Sequence, residues 1–143
     1  MRYGIMETKE QLEVMKRLVV VRESLIDYAG PLFVFGNIDL LLCGQHSTII
    51  SATMPREEFA ILNNRVPDWV NAVNSKADTI TNILVIRDMD KISIERQEIL
   101  LDILEENQIS TECLPENLKI ILHANKRCKI NPKIKDIVEC YEI

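Results

Sequence analysis

Two aspartates, Asp88 and Asp90, follow closely on the apolar run 82–86 in "NILVIRDMDKIS". A carboxylate pair just beyond a buried strand suits general acid/base work. It also suits a plainer role, because acids at strand ends cap the helix that follows. Arg87 stands immediately before the pair, and a cation there repels a metal ion that a carboxylate would attract. Cys43 and His46 form a second pair of reactive types, three residues apart. On a helix they would face one way, but a thiolate nucleophile also needs a polarising neighbour and a cleft.

The remaining metal-binding types are scattered. Cys43, Cys113, Cys128 and Cys140 contain no C-x-x-C pair, and His46 and His123 lie far apart. Zinc ligands come in closely spaced pairs, so no metal site is expected and the cysteines read as small core residues. With no signal peptide and no apolar run of about 18 residues, a cytoplasmic protein with reduced thiols is expected.

Length and charge narrow the class further. The chain has 143 residues, 47% hydrophobic and 27% charged, which fits one soluble domain with a proper core. A net charge of −5 excludes a surface-wide grip on nucleic acid. It does not exclude a local patch. Lys126, Arg127, Lys129, Lys133 and Lys135 lie together in "KRCKINPKIK", which reads as a loop.

These residues are positioned by an alternation of helices and strands. Residues 8–29 read as an amphipathic helix, with Thr8 and Gln11 as a capping box and Leu12, Met15, Leu18, Val19 and Ile26 at helical spacing. Gly30-Pro31 ends it, and "LFVF" follows as a buried strand. Residues 38–46 suit a short helix stopped by Gly44, and 47–52 a second strand. Residues 55–75 look helical with an interruption before Pro67. "NILVI" is a strand apolar throughout, as in a parallel sheet covered on both faces. Residues 93–107 read as one helix with Ile99, Leu100, Ile103 and Leu104 on its apolar face. "LKIIL" and "DIVECYEI" complete the strands. The pattern predicts an α/β fold, a parallel sheet with helices on both faces.

On these elements a resemblance appears. "NILVIRDMDKISIERQEILLDILEEN" followed by "ENLKIILHANKRCKINPKI" resembles the core of the AAA+ ATPases: the Walker B strand, the next helix, and the sensor-1 strand with its asparagine. The resemblance spans residues 31–143 and is most specific over 82–134. It implies an AAA+-like α/β domain over 31–143 without a helical lid, and an N-terminal helix, 1–30, packed on that core. In the family pattern Arg87 matches the magnesium-associated aspartate, Asp88 the glutamate that polarises the attacking water, and Asn125 sensor 1.

Three parts of the hydrolytic machine are replaced. Arg87 cannot support Mg²⁺. No glycine is followed by lysine, so the G-x-x-x-x-G-K-[ST] phosphate loop is missing. Asp136-Ile137 stands where the family carries a Ser-Arg finger. "PLFVFGNIDLLLCGQ" and "DIVECYEI" resemble the delta-type clamp-loader subunit, itself without Walker A, whereas "ERQEILLDILEEN" is more similar to the delta-prime type or to initiator and helicase-loader domains. The resemblance thus implies a non-catalytic interaction module of a clamp-loader or replication-initiation assembly, with no cofactor. Its partners would be proteins, among them other AAA+ subunits, and DNA through the assembly, but no membrane. The alternatives are a pseudo-ATPase adaptor of another AAA+ machine, in protein remodelling or transposition, and an enzyme using Asp88 and Asp90 or Cys43 and His46.

Overall fold

A computed structural model describes residues 8–143. In chain order its elements are α1 (Lys9–Asp27), β1 (Leu32–Phe35), α2 (Asp39–Leu42), β2 (Ser47–Ser51), α3 (Asp68–Asn74) and β3 (Asn82–Arg87). Then come α4 (Leu101–Glu106), β4 (Gln108–Ile109), β5 (Glu112–Cys113), β6 (Leu118–Ala124), α5 (Pro132–Lys135) and β7 (Glu139–Glu142). Residues 1–7 of the expected N-terminal unit lie outside the described residues.

Five strands form one parallel sheet in the order β2-β3-β6-β1-β7. Side chains alternate across it, as a pleated strand requires. Leu32, Val34, Ile83, Val85 and Ile121 pack with Leu18 and Val21 of α1 and Leu41 of α2. Phe33, Phe35, Leu84, Ile86, Ile120 and Leu122 turn the other way, against Trp69 and Val73 of α3, Ile103 of α4 and Ile134 of α5. The expected α/β architecture, with helices on both faces of a parallel sheet, is thus present. No helix of the described residues is long and apolar enough to cross a membrane.

The capping box of α1 forms as expected: Gln11 N donates to Thr8 Oγ1 at 3.1 Å, and Thr8 N donates to Gln11 Oε1 at 2.8 Å. Its core-facing stripe differs from the one expected. Of the five residues read as that face only Leu18 is buried, and the helix docks through Val14, Leu18, Val21 and Leu25. Two apolar stripes run along this helix, and periodicity alone does not say which meets the sheet.

Four further readings change. The single helix over 93–107 is instead a 3-10 segment, Arg96–Leu100, running into the short α4. There Gln97 is fully buried and tied to the opposite loop: its Nε2 donates to Lys129 O at 3.0 Å, and its Oε1 accepts from Asn131 N at 2.7 Å. Of the helical span 55–75, only a 3-10 turn at Arg56–Phe59 and α3 after Pro67 remain. The second half of "KRCKINPKIK" is helical, because Asn131 caps α5 by accepting from Lys133 N and Pro132 supplies its first residue. The cysteines are not core residues: Cys43, Cys113 and Cys140 are exposed and Cys128 is half-buried.

Candidate functional site

The loops after β1 and β6 leave the sheet in opposite directions, one toward the β2 edge and the other toward β7. Open α/β sheets bind ligands at such a switch point, outside the carboxyl ends of the strands. Here that place is a cleft of about 280 Å³ lined by residues from three strand ends: Asn37 and Asp39, then Arg87, Asp88 and Asp90, then His123 and Asn125. The structure therefore brings Arg87, Asp88, Asp90 and Asn125 into one cleft.

Each wall has a local cause. β1 is followed by Gly36 at φ +108°, where a Cβ would meet the Ile143 carbonyl oxygen at 2.5 Å. Only Gly36, Asn37 and Ile38 connect β1 to α2. Asn37 Oδ1 accepts from Asp39 N at 2.9 Å, so the side chain of the turn occupies the first amide of α2. Beneath it His123, buried on β6, donates from Nε2 to Gly36 O at 2.6 Å.

Arg87 points across the cleft, with Nη2 3.8 Å from Asp39 Oδ1, while its Nε is buried without a hydrogen-bond partner. Asp88 has left-handed backbone, φ +65°. It accepts from Ser51 Oγ at 2.6 Å, and Lys91 Nζ lies 3.2 Å from its Oδ1. The Ser51 hydrogen bond, followed by Lys91 and the Arg87 charge, holds its carboxyl below the ordinary value. Asn125 sits exposed at the end of β6. No group of three or more His, Cys, Asp or Glu among the described residues is placed to hold a metal ion.

The second reactive pair is not assembled on a helix. α2 ends at Leu42, and Gly44 at φ +78° separates Cys43 from His46, both exposed. The two residues therefore do not share a helix face, the arrangement their spacing suggested.

The basic segment lies beside the cleft's β6 wall. Arg127 Nε donates to Glu142 Oε2 at 2.6 Å, which pulls the Glu142 carboxyl down. Lys133 Nζ lies 3.2 Å from Glu98 Oε1, and with Asn131 it lowers that carboxyl too. Lys126, Lys129 and Lys135 are exposed and make no ion pair among the described residues. Arg127, Lys129 and Lys135 rim a groove of about 470 Å³ floored by Phe35, Ile94, Ile130 and Pro132.

Reading the sequence missed Asp39, Ser51, Gln97 and Asn131. Asn131-Pro132 carried a helix-start signal; the other three act through partners distant in sequence. No protein-family model matches the chain, and no curated protein proves similar to it.

Proposed function

We propose that the chain is a non-catalytic AAA+-like interaction module, part of a DNA-replication clamp-loader or initiation assembly. The observation that carries this reading is the closed β1–α2 turn. A phosphate loop needs free backbone amides and a cation at this position. Here the turn is three residues long, Asn37 takes the amide of Asp39, and Asp39, Asp88 and Asp90 outnumber Arg87. Such a cleft repels phosphate instead of cradling it. The strand order, with β1 between β6 and β7 and the Walker-B-like β3 two places away, agrees with the AAA+ resemblance.

Interaction is assigned to the basic groove. Its apolar floor favours an acidic protein segment with apolar side chains over a bare phosphate backbone, and its lysines would steer that segment in. Nucleotide chemistry is tested by measuring Mg-ATP binding and phosphate release, alone and with DNA, for the wild type and for Arg87→Asp. Neither protein is expected to bind or turn over nucleotide, because the variant still has no phosphate loop. Turnover near ~1 s⁻¹ that disappears in Asp88→Ala would overturn the reading.

A further inference from the structure

Helix α1 carries two apolar stripes, and the fold uses one. Leu12, Met15, Val19 and Ile26 recur at intervals of three, four and seven residues, so they share a face. That face is turned to solvent, with exposures of 45%, 51%, 52% and 79%. At the C-terminal end of the helix it continues into a groove of about 520 Å³, where Ile26 and Leu25 stand beside Ile83 and the fully exposed Ile80. An apolar face of this length, rimmed by charge, marks an interaction site.

The flanking charges identify the occupant. Lys16 lies one turn before Val19 and Glu23 one turn after it, both on the same edge of the stripe. A two-fold axis through Val19, with helices antiparallel, brings Lys16 of each copy to Glu23 of the other. The same axis sets Leu12 of each copy against Ile26 of the other, at the mouth of the groove beside Ile80. A parallel pairing would instead set Lys16 level with Lys16 and Glu23 level with Glu23. Lys16 is free to turn to a new partner, because its present one, Glu13, is 3.7 Å away and exposed. From this self-complementary pattern we propose that α1 is the interface of an antiparallel homodimer of this chain. The interface is isologous and closes on itself, as two-fold association requires. The inference does not depend on the nucleotide reading.

Sedimentation of the full chain up to about 300 µM, the range suited to a small transient interface, tests it. The wild type should show a concentration-dependent dimer. Val19→Glu, which faces its own copy across the axis, should abolish the dimer at all concentrations while leaving far-UV circular dichroism and the melting temperature unchanged. Lys16→Glu and Glu23→Lys should each weaken association several-fold. Mixed one to one, those two variants should regain the wild-type dimer, since each then meets an opposite charge at both ends. A wild type that stays monomeric at every concentration overturns the proposal. So does a dimer that survives Val19→Glu, or single variants whose mixture associates no better than either alone.

Discussion

At the scale of single residues, Asp88 concentrates most of the local chemistry. Its left-handed backbone suits Asp or Asn, whose short polar side chains tolerate that conformation, and disfavours Ala. Asp88→Ala should therefore cost about 1–3 kcal/mol through backbone strain and the lost Ser51 hydrogen bond. Asp88→Asn, which retains an acceptor, should cost less; urea unfolding of both variants checks the order. The pH dependence follows from the same contacts. Because the folded carboxyl titrates below the unfolded value of about 3.9, its stabilisation is present above that value and is lost as pH falls through the lower, folded one. Melting temperatures between about pH 5 and 2 should fall less steeply for Asp88→Asn than for the wild type. Identical slopes would show that Asp88 contributes nothing through its charge.

At the scale of elements, β3 and the 3-10 segment are stabilised by different forces. Ile86 is completely buried on β3, which lies between β2 and β6, so Ile86→Asp would bury a charge or force its protonation. A loss of several kcal/mol in unfolding free energy is expected, and an unchanged unfolding midpoint would contradict the burial of the strand. Gln97 instead works by satisfying groups on another element. Removing it in Gln97→Ala leaves Asn131 N and Lys129 O without their partner. The expected cost is about 1–3 kcal/mol, with faster amide exchange at Asn131. Exchange at Asn131 that is no faster than in the wild type would show that the link is dispensable.

For the whole molecule the notable feature is charge placement. On a chain of net charge −5, three exposed lysines without ion pairs among the described residues cluster at one side of the carboxyl edge, and two of them, Lys129 and Lys135, rim an apolar groove. Replacing Lys126, Lys129 and Lys135 by Glu spares the Arg127–Glu142 pair and should leave the melting temperature nearly unchanged, since exposed charges contribute at most about 1 kcal/mol each. Capture of co-purifying proteins should be lost, and in the wild type that capture should weaken steeply with salt. A triple variant that retains the same partners at the same salt would return the segment to plain solvated surface.

The sequence by itself determined the α/β class, the five sheet strands, the capping box at Thr8 and Gln11, and the absence of a Gly-Lys phosphate loop. Each of these rests on local order: apolar runs that only a doubly covered strand can bury, a cap read from residues three apart, a dipeptide that is or is not there. Only the tertiary structure decided which stripe of α1 meets the sheet, because both have helical period and the choice depends on the shape of the opposing face. It likewise decided that Arg87 reaches Asp39 and that Asp88 accepts from Ser51. Those pairs join residues at strand ends and in the α2 turn that are far apart in the chain, brought together by a parallel sheet whose strand order is not its sequence order. The Gln97–Asn131 link has the same origin, and with it the break of the expected helix into a 3-10 segment and α4. A buried amide meets its partners only after the sheet has closed, so the helical periodicity of residues 93–107 gave no sign of the break.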